Sequence, residues 1–272
     1  MSQIDPCPRI CTFESRRAEE MRKLIEKFGG RATNAPSMRE IPLDRQPAII
    51  KFAKKLFAGE IDVLVLMTGV GTRLLAEAIA TQFPHEKFLA ALHDMTIVVR
   101  GPKPTAVLNE WNVPIAVRTP EPNTWREMLT AMKQELDLSG KKIAVQEYGI
   151  SNEEFLQSLR DAGADVESVI VYRWDLPEDR GPLESAIQEQ IDNPFGVLMF
   201  TSAQQIRHVT QVADELGRLE EFQQSLSGSR ICSVGPTCSE TLVECGLKVD
   251  FEASPPKMGP LVRGAMELVS AE

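Results

Sequence analysis

The sequence is short of aromatic residues, histidine, long apolar runs and positive charge, and each shortage closes off a class of protein. Aromatic residues make up only 6% of the 272 positions, with two tyrosines and three tryptophans. No apolar run approaches the ~18 residues of a membrane span, so no membrane association is expected. The three histidines stand apart: His85 follows a proline in a loop, His93 precedes a strand and His208 lies in a helical pattern. None sits in an H-x-x-x-H or H-E-x-x-H arrangement, so no metal site is expected. The five cysteines, Cys7, Cys11, Cys232, Cys238 and Cys245, are odd in number and lack disulfide spacing. They read as reduced thiols, with Cys238 near a helix start, where a thiol can become reactive. A net charge of −9 argues against general nucleic-acid binding, which needs clustered Lys and Arg. An anionic ligand would need a local positive site. The opening MSQIDPCPRI has no basic stretch leading into an apolar core, so a secretory signal is not expected and the cytoplasm is the expected compartment.

What is present is a duplication. Ile10 to Gly30 (ICTFESRRAEEMRKLIEKFGG) returns as Ile143 to Gly163 (IAVQEYGISNEEFLQSLRDAG), each reading strand, loop, helix, Gly. Asp62 to Ile79 returns from Gly196 to Ala213, and Thr96 to Val113 returns from Arg230 to Val249. Gly101 and Gly235 share the offset of 134 that separates Asp62 from Gly196. Two copies of one α/β unit follow, since solenoid repeats are far shorter. Hydrophobic residues at 43% suffice for two cores, and runs such as VLVL, IVV, VIVY and VLMF suit strands buried on both faces. Strands are expected near 9–13, 62–67, 96–100, 143–147, 168–172, 197–201 and 231–234, alternating with helices as in a parallel sheet. Two proline-containing stretches, Ala35 to Leu43 and Trp174 to Pro182, read as crossovers between lobes. A two-lobed α/β protein with a cleft is the expected architecture.

In open parallel sheets, ligands sit beyond the carboxyl ends of the strands, where loops enter helices. The first N–H groups of a helix lack internal acceptors and carry partial positive charge, so carboxylates or phosphates fit there. Five loops qualify: Thr68-Gly69-Val70-Gly71-Thr72, Arg100-Gly101-Pro102-Lys103-Pro104-Thr105, Glu147-Tyr148-Gly149, Thr201-Ser202-Ala203-Gln204 and Gly235-Pro236-Thr237-Cys238. Thr and Ser at such places also serve as plain helix caps. The Thr68 loop is no dinucleotide fingerprint, because position 74 is Leu. Neither a P-loop nor a G-x-S-x-G elbow occurs. Arg16, Arg17, Arg73, Arg100, Arg207 and Lys103 lie at or just after sheet-edge loops, and Tyr172 stands at the second crossover.

The blocks SVGPTCSETLVECGL and LRDAGADVESVIVYRW, with Phe200-Thr201-Ser202, resemble those of the uroporphyrinogen-III synthases, or HemD-like proteins, and the similarity runs from Ile10 to about Val269. The resemblance implies two flavodoxin-like α/β lobes with parallel sheets joined by a two-stranded linker, here 1–40 plus 178–272 and 41–177. It implies a lyase of tetrapyrrole (heme) biosynthesis that cyclises hydroxymethylbilane to uroporphyrinogen III, with loss of water, inversion of ring D and no cofactor or metal. Tyr172 matches the family's tyrosine, the expected proton donor to the leaving hydroxyl. Thr105 and Thr237 match the threonines of the two Gly-containing loops, and Thr68, Thr201 and Ser202 are expected to donate to substrate carboxylates. Gly69, Val70, Arg100, Gly101, Gly149, Ala203, Gly235 and Pro236 complete the expected binding set, and a monomer is the expected state. The chain departs from the family pattern at Thr12-Phe13-Glu14-Ser15-Arg16, where many members have Thr-Arg-Pro, and at Thr68-Gly69, where Thr-Ser is common. Arg100 to Thr105 also reads as two residues longer than Gly235 to Thr237. A noncatalytic, ligand-sensing member of the family is the alternative; with no basic or helix-turn-helix extension before Glu272, it would need a partner.

Overall fold

The computed structural model describes residues 7–43, 47–147, 149 and 151–270. The chain runs β1 (Arg9–Thr12), α1 (Ala18–Lys27), β2 (Arg31–Asn34), β3 (Arg39–Pro42), α2 (Pro47–Phe57), β4 (Val63–Leu66), α3 (Gly69–Ala80), α4 (His85–His93) and β5 (Thr96–Val99). It continues through α5 (Pro102–Glu110), β6 (Val117–Arg118), α6 (Trp125–Glu135), β7 (Lys142–Glu147), α7 (Glu153–Asp161), β8 (Asp165–Ile170) and β9 (Tyr172–Asp175). The last part is α8 (Gly181–Asp192), β10 (Val197–Phe200), α9 (Ala203–Glu215), α10 (Leu219–Ser225), β11 (Arg230–Ser233), α11 (Pro236–Glu244), β12 (Phe251–Glu252) and α12 (Met258–Ser270). Two compact units result, Met1–Arg39 with Asp175–Glu272, and Glu40–Trp174.

The first unit holds a parallel sheet in the order β12-β11-β10-β1-β2, and the second a parallel sheet in the order β6-β5-β4-β7-β8. Counted along the chain, the first unit has the flavodoxin order 2-1-3-4-5. The second has the same spatial arrangement with its chain ends moved, because the sequence repeat pairs β1 with β7, β10 with β4 and β11 with β5. Each sheet therefore takes two strands from one copy of the repeat and three from the other. Strands β3 and β9 form a separate two-stranded sheet where the chain passes between units.

The central strands are buried on both faces, as their unbroken apolar runs require. In β4, Leu64 and Leu66 pack with Ile49, Phe52, Leu75, Ile79, Phe88 and Leu108 from α2, α3, α4 and α5. Val63 and Val65 face the other way, against Met128 and Met132 of α6 and Phe155, Leu156 and Leu159 of α7. The first unit repeats the plan. Leu198 and Phe200 of β10 meet Leu183, Ile187, Ile206, Val209, Phe222 and Leu242 from α8 to α11, while Val197 and Met199 meet Met21 and Ile25 of α1 and Leu261, Val262 and Ala265 of α12.

Three sequence expectations change. The run expected as one strand over 168–172 divides at Val171: β8 begins earlier, at Asp165, and Tyr172 opens β9 in the two-stranded sheet. His85 is the first residue of α4 instead of a loop residue. The short strands β2, β6 and β12 were not expected, because RATN, VR and FE carry too little apolar pattern, whereas β3 falls in the crossover stretch Ala35 to Leu43.

Candidate functional site

Strand order reverses between β1 and β10 in the first unit and between β4 and β7 in the second, and ligands of open α/β sheets bind at such switch points. The loops leaving these strands carry helix starts built from the expected residues. Thr68 caps α3, its Oγ1 accepting from Gly71 N at 2.9 Å. Ser202 caps α9 in a capping box with Gln205, and Ala203 is the first helical residue. Gly101 and Gly235 are the caps of α5 and α11, followed in each case by a proline, Pro102 and Pro236. Gly69 has no room for a side chain, since a Cβ there would lie 2.8 Å from Lys103 O. Gly149 has φ +64°, a Cβ there would lie 3.0 Å from Trp174 Nε1, and its N–H donates to Tyr172 O at 3.1 Å. The Val70 side chain is half-buried and packs on the core.

A buried glutamine pins each switch point. In the first unit, Gln205 of α9 accepts from Thr201 N at 2.7 Å and donates to Phe13 O, beyond β1, at 3.1 Å. In the second unit the glutamine comes from the strand: Gln146 accepts from Thr68 N at 3.5 Å and donates to Glu147 O at 2.6 Å. The position that matches Gln205 in the repeat is Gly71, and the position that matches Gln146 is Phe13. Gly71 must lack a side chain, because a Cβ would lie 2.6 Å from Gln146 Cδ. One amide thus serves the same stretch of backbone in both units, supplied from opposite sides of the crevice: Gln205 also accepts from Ser202 N at 3.3 Å, the counterpart of Thr68 N, while the carbonyls it and Gln146 reach differ by one residue.

Beside the second pin lies the tyrosine. Tyr172 is 1% exposed, packs edge-on against Trp174 at 5.4 Å between ring centroids, and brings its hydroxyl to 3.4 Å from Thr68 Oγ1. Thr68 Oγ1 already accepts the Gly71 N–H, so one lone pair and its own proton remain. The expected donor and the expected binding threonine are therefore neighbours, with Thr68 the more exposed of the two.

In the first unit the donors meet a carboxylate of the protein itself. Thr201 Oγ1 donates to Glu14 Oε2, while Glu14 Oε1 accepts Arg17 N at 3.1 Å, just ahead of α1. The matching residue of the repeat, Glu147, is buried and accepts from Ser151 Oγ at 2.5 Å, from Ser168 Oγ and from Asn152 N at 2.8 Å. Glu147 turns toward β8, away from the switch point; Glu14 turns toward it. The flanking arginines are also engaged by carboxylates: Arg17 by Glu20, Arg73 by Glu110 and Arg207 by Glu244.

Residues 19–263 match the family described as uroporphyrinogen-III synthase HemD. The chain belongs to the uroporphyrinogen-III synthase family. A protein of Methanothermobacter thermautotrophicus, described provisionally as a uroporphyrinogen-III synthase, is 25% identical over 85% of this chain and 87% of its own. Among solved structures, a variant of the Thermus thermophilus uroporphyrinogen III synthase matches with a TM-score of 0.74 at 22% identity, covering 98% of this chain and 100% of that one. The Helicobacter pylori uroporphyrinogen-III synthetase matches with a TM-score of 0.54 at 16% identity, covering 96% and 99%. At these identities the two structures establish a shared fold.

Against the family expectation, Thr105 and Thr237 are not equivalent. Both helices start at glycine then proline, so the loops have equal length and Thr105 corresponds to Ser239, each donating its N–H to the cap glycine carbonyl four residues back. The apparent two-residue insertion came from aligning the threonines. Thr105 Oγ1 donates to Gly101 O at 2.9 Å inside the first turn, whereas Thr237 is exposed. Cys238 is buried, its Sγ 3.7 Å from Phe200 O, and burial pushes its thiol up to about 11, which removes the thiolate needed for reactivity. Arg100 opens the α5 loop, half-buried. Tyr148 lies outside the described residues. Sequence reasoning missed Gln146, Gln205 and Glu14; the complementary exchange of Gln with Gly and Phe between the repeats was the available signal.

Proposed function

We propose that this protein is a uroporphyrinogen-III synthase that cyclises hydroxymethylbilane to uroporphyrinogen III, losing water and inverting ring D. The observation that carries this reading is the family match, which takes in both units from residue 19 to 263. Chemically, the reaction needs help for hydroxide to leave the terminal hydroxymethyl carbon, and a framework that holds the linear chain so that ring closure occurs at the substituted carbon. Positioning dominates such a step. In this scheme Tyr172 donates to the second lone pair of Thr68 Oγ1, which leaves the Thr68 proton directed at the leaving hydroxyl. A phenol, with a pKa near 10, is protonated and able to donate at neutral pH. The N–H groups at the starts of α3, α5 and α11 receive substrate carboxylates. This scheme requires no cofactor, and a cytoplasmic monomer fits it.

The test is a coupled assay on freshly generated hydroxymethylbilane, with type I and type III uroporphyrins separated after oxidation. Type III in excess of the spontaneous type I product supports the synthase. A folded protein yielding type I alone would sink it and favour a ligand-sensing role.

A further inference from the structure

We propose that Glu14 is a positioning residue that fixes the register of the substrate, by filling with its own carboxylate the anion-binding place at the first unit's switch point. This rests on the synthase reading. The donors there are ones a ligand anion would use: the Thr201 hydroxyl after β10 and the Arg17 N–H at the start of α1, both given to Glu14. Gln205 Nε2 supports the arrangement by donating to Thr201 Oγ1 at 2.9 Å. The second unit has no equivalent at its switch point among the described residues. Glu147 is turned into a buried cluster with Ser151 and Ser168, and the crevice there presents Thr68 and its neighbour Tyr172 instead. The duplication has thus produced one switch point that presents hydroxyls and one already occupied by a carboxylate.

A linear tetrapyrrole poses a problem that this asymmetry solves. Its rings are alike and each is acidic, so a set of equally attractive helix starts would hold it equally well one ring out of place. Discrimination between such poses comes from a place that rejects the wrong one as much as from places that attract the right one. A fixed negative charge beside Thr201 turns away a ring carboxylate there, while the uncharged helix starts accept the others.

The experiment compares wild type, Glu14→Gln and Glu14→Ala in the isomer assay and in thermal melts, with acetate against chloride at matched ionic strength. Glu14→Ala vacates the donors, so its type III to type I ratio should fall by about fivefold or more as substrate enters out of register. Its melting temperature should drop and recover in acetate, while wild type is indifferent to the exchange. Glu14→Gln keeps an acceptor for Thr201 but no charge, and should lose isomer selectivity with little change in melting. Unchanged isomer ratios in both variants would overturn the proposal, as would a Glu14→Ala protein whose melting ignores acetate. If wild type forms only type I, the synthase reading and the register role both fall, while the acetate response separately shows whether Glu14 fills an anion site.

Discussion

Substituting Gly71 by alanine should destabilise the second unit, and the same substitution should stabilise it once Gln146 is gone. Gly71 is the third residue of α3 and an alanine there would ordinarily gain about 1 kcal/mol of helix propensity. In this protein the new Cβ would lie 2.6 Å from Gln146 Cδ, and Gln146 is fully buried. The amide would have to leave its place, giving up its bonds to Glu147 O and from Thr68 N. One buried and one half-buried backbone group losing their partner cost about 3 kcal/mol together, so the net effect is a loss of about 2 kcal/mol. In a Gln146→Ala background that cost has already been met, and Gly71→Ala should return its gain of about 1 kcal/mol. The coupling is then about 3 kcal/mol, the upper end for residues in contact. Urea melts followed by tryptophan fluorescence suit the test, because Trp111, Trp125 and Trp174 all belong to the second unit, Glu40–Trp174. That signal isolates one unit of a chain whose two units need not unfold together. Equal destabilisation by Gly71→Ala in both backgrounds would refute the glutamine pin.

Three further outcomes are expected. Tyr172→Phe should lower the rate of type III formation by about 100-fold while costing about 1 kcal/mol of stability from the bond to Thr68; an unchanged rate would remove the phenol from the reaction. His208, 4% exposed with Nδ1 2.7 Å from Ser37 O, has its pKa depressed first by burial, against the raising effects of that bond and of Asp175. The unfolded chain therefore binds the proton more readily, so stability should fall as pH drops through about 6.5, and His208→Asn should flatten that part of the profile. Gly264→Ala in α12 would drive a Cβ into the Phe251 ring of β12 and should cost about 1–3 kcal/mol, read by circular dichroism.

Much of the fold was legible because strands buried on both faces write themselves as apolar runs. Val63 to Leu66 and Val197 to Phe200 announce the two central strands, and their common offset announces the duplication. The edge strands β6 and β12 were not legible, since Val117–Arg118 and Phe251–Glu252 have two residues each and almost no pattern. Tyr172 was found through its family block, yet its strand was misjudged: SVIVY is unbroken in sequence, and only the change of pairing partner at Val171 divides it. The helix-start loops were visible as Thr, Ser and Gly after apolar runs, because capping chemistry favours those residues. Gln146 and Gln205 were invisible to periodicity, being single polar residues whose meaning lies in a partner far along the chain. Glu14 showed only as a departure from a family pattern; the hydroxyl it takes, from Thr201, is brought to it by the pairing of β1 with β10.

That pairing also sets a timetable for the chain as it leaves the ribosome. The second unit is contiguous from Glu40 to Trp174 and has all five of its strands before β10 is made. β1 and β2 have one another, but Ile10 must wait for Val197 before the central ladder of its sheet can form. At ~5–20 residues per second that wait lasts about ten to forty seconds. Through that interval the apolar side of α1, with Met21 and Ile25, lacks α12 to cover it. The nascent amino-terminal segment should therefore engage holding chaperones until the carboxyl-terminal strands emerge, and ribosome-bound chains halted before Val197 should have that segment open to protease while the second unit resists.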